Sequence, residues 1–226
     1  LRRDGLLTGV LGGSFNPAHL AHRRISLFTL QALGLDEVWW LVSPGNPLKP
    51  RVGMAPLAAR FHSAQRIARK APIRVTAIER ELGTRYTADT LRALKRRFPR
   101  RRFVWMMGAD NLAQLHLWRD WRRLAREMPI AVIARPGYDR RASASPAVAW
   151  LRRHRLSAAG FRNFALLNRS EWSAPALIEL RFDPDPRSAT DIRRADPHWA
   201  TRLSGPAPRD GITRSLIHEA AKEPGA

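Results

Sequence analysis

The chain contains no cysteine. Disulfides, thiolate nucleophiles, thiolate zinc sites and iron–sulfur clusters are therefore excluded, and the cytoplasm fits best as the compartment. Also missing is any apolar run approaching the roughly 18 to 20 residues that a membrane-spanning helix needs, because charges, glycine or proline interrupt each run much earlier. A soluble protein with no membrane partner is expected. Leu1 to Val10 imitates the start of a signal peptide, with two arginines before an apolar stretch, but Gly12 to Pro17 cut that stretch short and it reads as a first strand. Acidic residues are scarce, 19 against 40 lysines and arginines, and lysine itself stands only at Lys49, Lys70, Lys95 and Lys222.

What is present in excess is arginine, which carries the formal charge to +21. A basic surface attracts polyanions. Here, however, arginines are spread through almost every segment, and the runs at Arg96 to Arg102 and Arg152 to Arg155 resemble the solvated ends of helices. With 226 residues and a 44% hydrophobic content, the chain is long and apolar enough for an ordinary globular core. No linker or repeat divides it, so a single domain over 1–226 is expected.

The apolar segments alternate in type. Leu6 to Gly13 reads as a buried strand ending on two glycines, His19 to Leu33 as a helix stopped by Gly34, and Glu37 to Val42 as a second buried strand. A helix near Pro56 to Lys70, a strand at Ile73 to Ile78, a helix at Ala88 to Phe98 and a strand at Arg102 to Met107 continue the series. Helical residues Asn111 to Arg126 and a strand at Ile130 to Ala134 follow. Near-continuous apolar strands alternating with helices predict an α/β fold, a doubly wound, Rossmann-like parallel sheet with helices on both faces. Beyond Pro136 the pattern weakens: Ala144 to His154 reads as helical, Phe164 to Leu167 as a strand, Asp183 to Pro186 as a turn-rich loop and Ile212 to Lys222 as a terminal helix.

In such sheets ligands gather at the carboxyl ends of strands. The first strand-to-helix connection runs Gly12, Gly13, Ser14, Phe15, Asn16, Pro17, Ala18, His19, Leu20, Ala21, His22. Glycines let the backbone approach an anion, and a helix start points unpaired N–H groups at it. The loop is neither the G-x-G-x-x-G dinucleotide fingerprint nor a P-loop. His19 and His22, three apart at a helix start, share one face. A histidine pair of this kind is compatible with phosphate binding, with a metal site or with ordinary helix-start packing, although no third metal ligand stands nearby.

The segment G-G-S-F-N-P-A-H-L-A-H resembles the G-x-F-x-P-x-H-x-G-H signature of the nucleotidyltransferase superfamily, and closely resembles bacterial nicotinate-mononucleotide adenylyltransferases. It departs from the pattern at Ala21, where glycine is usual. Five further blocks follow in the family's order. Ser43 to Pro50 is similar to its proline-rich loop ending in lysine, here Lys49. Tyr86 to Leu91 is similar to the segment whose threonine, here Thr87, meets the nicotinate carboxylate. Gly108, Ala109, Asp110 and Asn111 resemble the G-A-D loop, which Trp118 follows. Arg135 to Gly137 resembles the R-P-G turn. Arg187 to Arg194 resembles the I-S-x-T-x-I-R helix start, with Arg187 in place of isoleucine and with a C-terminal helical subregion beginning near 186.

The resemblance implies transfer of the adenylyl group of ATP to nicotinate mononucleotide, releasing pyrophosphate. It assigns His19, His22, Lys49 and Arg193 to catalysis. ATP would meet Gly12, Gly13, Ser14, Phe15, Gly108, Asp110, Ser188, Thr190 and Arg193. The mononucleotide would meet Asn16, Lys49, Thr87, Trp118 and Arg135. Mg2+ would arrive on the ATP phosphates with few or no protein ligands. By composition alone Trp118 reads as core, Asp110 and Thr87 as helix caps, and Lys49 and Arg135 as solvated. Alternatives are a sister enzyme acting on nicotinamide mononucleotide or phosphopantetheine and, in another class, a basic nucleic-acid-binding protein, for which no recognised motif is present. No specific nucleic acid is expected as a partner, and association of identical copies is compatible with the sequence. The reading requires the glycine turn and the late Ser188 to Arg193 segment to wall one hollow.

Overall fold

The computed structural model describes residues 5–45, 53–134, 145–167, 174–182, 188–203 and 205–218. Strands β1 (Leu7–Gly13), β2 (Glu37–Val42), β3 (Ile73–Thr76), β4 (Arg102–Gly108), β5 (Ile130–Ala134), β6 (Arg155–Leu156) and β7 (Leu177–Arg181) form one sheet in the order β3-β2-β1-β4-β5-β7-β6. Every pairing is parallel. From β1 the chain winds outward to β2 and β3, then returns to β4 on the other side of β1. The order of connections therefore reverses between β1 and β4, which opens a crevice at their carboxyl ends.

Both faces of the sheet are covered, as the continuous apolar strands require. Helices α1 (Leu20–Leu33), α2 (Leu57–Ala68) and α8 (Ala158–Leu167) cover one face. On the other lie α4 (Thr87–Arg97), α5 (Ala109–Gln114), α6 (Trp121–Glu127) and α7 (Pro146–Leu151). Successive strand residues point to opposite sides. Trp39 accordingly packs with Phe98 and Phe103 on one face, whereas Trp40 stacks on Phe15 on the other and donates its indole N–H to Ser26 Oγ at 2.8 Å. At the far, amino end of the strands, buried Glu37 accepts from Trp39 Nε1 at 2.7 Å and from Arg74 at 2.6 Å, and it also binds Arg101.

The predicted elements through β5 are present within a residue or two at most boundaries, with three differences. The run expected to be helical from Asn111 to Arg126 is broken: α5 ends at Gln114, a single 3-10 turn spans Leu115–Leu117, and Asp120 takes a left-handed conformation (φ +53°) before α6. Helix α4 begins at Thr87, one residue early, and a short helix α3 (Glu79–Leu82) precedes it. The third strand ends at Thr76, before the expected Ile78.

Three differences lie later in the chain. Phe164 to Leu167 belongs to α8, where Phe161 and Ala165 sit one helical turn apart against the core. Strands β6 and β7 were not expected: β6 has only two residues, and the alternation of Leu177, Ile178, Glu179, Leu180 and Arg181 in β7 is short, although the turn-rich sequence Asp183 to Pro186 follows it. The described part of the expected terminal helix is a turn joined by an antiparallel bridge between Arg209 and Leu216. Asp210 explains it. Its buried carboxylate accepts from Thr76 Oγ1 (3.0 Å), Ala77 N (2.7 Å), Ile212 N (2.8 Å) and Thr213 N (3.0 Å), which pins the tail under β3 and lets Ile217 enter the core. Residues 219–222 of that expected helix lie outside the described residues, as does the expected loop Asp183 to Pro186. The last α-helix described is α9 (Ala189–Ala195), followed by a 3-10 turn at Thr201–Leu203.

Candidate active site

The crevice begins where β1 runs out. Gly12 is dictated by packing: a Cβ there would lie 2.5 Å from the Trp105 ring. Phe15 adopts a left-handed backbone (φ +47°), and its buried ring is fixed between Trp40 (5.1 Å) and His22 (4.9 Å). Asn16 then anchors the loop. Its amide nitrogen donates to Gly53 O at 2.9 Å and its Oδ1 accepts from Ala55 N at 3.2 Å, while Ala18 N–H donates to Ser63 Oγ at 2.8 Å.

His19 is the N-cap of α1, and the two imidazoles stand 4.0 Å apart, centroid to centroid. The backbone N–H of His19 donates to Nδ1 of His22 at 3.2 Å. A nitrogen that accepts carries no proton, so the neutral His22 ring bears its proton on Nε2. The fold has thereby selected one tautomer, a ring whose second nitrogen is a donor. Ala21 is buried in the first turn of α1.

The late segment meets this loop. Arg193 on α9 donates from Nη1 to the carbonyl oxygen of Asn16 at 2.5 Å and from Nη2 to Thr190 Oγ1 at 3.2 Å. Ser188 caps α9, accepting from Asp191 N at 3.1 Å and donating to the Asp191 carboxylate at 2.5 Å. That donation is the main reason the Asp191 pKa lies below its ordinary value.

Beside Gly12 and Gly13 a cavity of about 350 Å³ opens. Ser14, Thr87 and Trp118 line it as well, joined by residues the sequence reading did not select: Glu79, Tyr86 and the arginines Arg85 and Arg119. Asn111 lines it too, whereas Asp110 folds back over Gly108, where a Cβ would lie 2.3 Å from its Oδ1. His19, His22, Asn16, Ser188, Thr190 and Arg193 lie outside the cavity wall. Lys49 and Arg135 lie outside the described residues, as does Arg187.

Tyr86, Trp105 and Trp118 wall the cavity beside the glycine turn, and the histidines and Arg193 are not among its lining residues. Against known proteins, the sequence pattern of the Cytidylyltransferase-like family matches residues 10–195. A probable nicotinate-nucleotide adenylyltransferase of Erythrobacter litoralis is 66% identical over 220 residues, covering 97% of each chain. The chain belongs to the nicotinate-nucleotide adenylyltransferases. A second relative of the same printed name, from Parvibaculum lavamentivorans, is 52% identical over 89% of this chain and 98% of its own. Among solved structures, the Plasmodium falciparum nicotinic acid mononucleotide adenylyltransferase complexed with NaAD shares the fold, with a TM-score of 0.59 at 15% identity over 84% of this chain and 83% of its own.

Two residues that shape this family member's site have no sequence signal of their own. Arg60, only 1% exposed, donates to the carbonyls of Ser14 (2.7 Å), Ser43 (2.7 Å) and Ala55 (2.9 Å), tying the glycine loop to the end of β2 and the approach to α2. In a chain with this much arginine nothing marked it. Glu79, at the start of α3, has its pKa raised from 4.5 to about 7 by burial, against the opposing effect of hydrogen bonds from Thr90 and Ser43. A glutamate just after an apolar strand carries no local sign that the fold will bury it.

Proposed function

We propose that the chain acts as one unit that transfers the adenylyl group of ATP to the 5′-phosphate of nicotinate mononucleotide, giving deamido-NAD and pyrophosphate in NAD biosynthesis. The observation that carries this reading is the hydrogen bond from Arg193 to the carbonyl of Asn16, which places the Ser188 to Arg193 helix start against the glycine turn. The triphosphate lies across that junction. Gly12 to Phe15 offer backbone N–H groups, His19 and His22 offer ring N–H groups, and Ser188, Thr190 and Arg193 hold the departing pyrophosphate. Gly108 and Asp110 border the adenosine. The pyridine ring of the acceptor enters the cavity against Trp118 with its carboxylate toward Thr87, Asn16 holds the loop between the two ligands, and Lys49 and Arg135 complete the phosphate contacts.

Proton chemistry is undemanding. A phosphate monoester has its second pKa near ~6, so at neutral pH the acceptor is mostly dianionic and already nucleophilic. Its oxygen attacks the α-phosphorus as the bond to the bridging oxygen of pyrophosphate breaks. The protein contributes alignment and donors aimed at accumulating negative charge. The His22 tautomer suits that task, because its Nε2–H donates without first gaining a proton. Among the described residues no group of three or more His, Cys, Asp or Glu side chains converges. Mg2+ would arrive with the triphosphate in its own water shell and would neutralise phosphate charge.

A pyrophosphate-release assay with ATP, Mg2+ and an acceptor panel tests the reading. Turnover with nicotinate mononucleotide above nicotinamide mononucleotide and phosphopantetheine is expected. Absence of turnover with either pyridine mononucleotide would overturn it.

A further inference from the structure

Nicotinate and nicotinamide mononucleotides are nearly the same shape and differ in the charge of one group. Shape therefore discriminates poorly between them, and a site that prefers one must use charge or hydrogen-bond polarity. Among its described lining residues the cavity has one carboxyl side chain, Glu79, and two guanidinium side chains, Arg85 and Arg119.

We propose that Arg119 is a specificity-determining residue that makes this cavity favour a carboxylate-bearing acceptor over its carboxamide, with Arg85 supporting it. The proposal rests on the acceptor assignment above. Arg119 follows Trp118 directly in the chain, and its guanidinium lies 4.5 Å from the centroid of the Tyr86 ring, the residue that directly precedes Thr87. Arg119, Trp118 and Thr87 line the same cavity, so the cation shares that hollow with both groups assigned to the acceptor ring and its substituent. Stacking on an aromatic face restrains a guanidinium while leaving its edge N–H groups directed outward.

The charge is not neutralised locally. Among the described residues its carboxylate neighbour is Asp120, at 3.8 Å, and both side chains are more than half exposed, at 60% and 51%, so the pairing is weak. Glu79, the cavity's carboxylate, is held partly protonated near neutral pH by burial, which lessens its opposition to an anionic ligand. The balance of the lining is therefore cationic.

The experiment compares Arg119→Gln, Arg119→Lys and Arg85→Gln with the parent protein. For each, kcat/KM is measured for nicotinate and nicotinamide mononucleotides at saturating ATP, together with KM for ATP. Arg119→Gln should lower the acid-to-amide ratio on the order of tenfold, through loss of the acid, in line with one charge-assisted contact. Arg119→Lys should retain most of the ratio, Arg85→Gln should lower it less, and KM for ATP should stay constant. A ratio unchanged in Arg119→Gln, or an equal fall for both acceptors, overturns the assignment to Arg119. If the parent protein turns over neither acceptor, it is the reading of the activity that fails instead.

Discussion

Arg193 Nη1 lies 2.5 Å from the carbonyl oxygen of Asn16, a residue 177 positions earlier in the chain. One hydrogen bond thus joins the first strand-to-helix turn to the last α-helix described. It gives the helix start and the glycine loop a common frame, which is the geometry that the proposed triphosphate site requires.

Removal of a preorganised donor at a phosphoryl site commonly costs on the order of a hundredfold or more in rate. His19→Ala is expected to lose kcat to that extent with its fold retained, as checked by circular dichroism. His22→Ala should lose at least as much, because it also removes the acceptor of the His19 backbone N–H. Near-normal turnover of either variant under saturating ATP and magnesium would argue against the role.

Ser188→Ala removes the cap of α9 and should fray the turn that presents Arg193. KM for ATP is expected to rise several-fold, with KM for the mononucleotide little changed. Steady-state kinetics with each substrate varied in turn would detect it. An equal rise in both constants would point to general loosening of the site.

Arg60→Leu should be costly to stability. It leaves the carbonyls of Ser14, Ser43 and Ala55 without the donor that joins them, in a position that is 1% exposed. At ~1 kcal/mol or more for each abandoned polar group, the loss should reach about 3 kcal/mol. For a chain of this size that lowers Tm by roughly 6 to 12 °C. Scanning calorimetry is the check, and a Tm within a degree or two of the parent would contradict the role.

Glu79 makes stability depend on pH. Its carboxyl loses its proton near 4.5 when unfolded and near 7 when folded, because burial disfavours the charged form. Between those values folding takes up a proton. Its contribution is thus fully present below about pH 4.5, declines through the interval and is lost as pH rises through 7, with a total span of at most ~3 kcal/mol. Glu79→Gln should flatten that decline and gain stability relative to the parent above pH 7. Urea unfolding at pH 5 and pH 8 measures both slopes, and parallel pH dependence in the two proteins would refute the assignment.

Local order determined much of this protein. The first five strands, helices α1, α2 and α4 and the glycine turn were legible because apolar runs of strand and helix length carry their own periodicity, and because glycine and cap residues act within a few positions. The family blocks were legible for the same reason: each lies within a dozen residues. Long-range energetics decided the rest. The C-terminal segment around Asp210 bends as it does to satisfy Thr76 and Ala77, more than 130 residues earlier. The arginine excess, which looked like solvated charge, is partly spent on backbone carbonyls, as in Arg60, in Arg23 reaching Ile67 and Arg69, and in Arg162 reaching Ala32. Which arginine is buried, which stacks on Tyr86 and which spans to Asn16 depends on distances that only the folded chain defines, because a guanidinium has the same local signature wherever it stands.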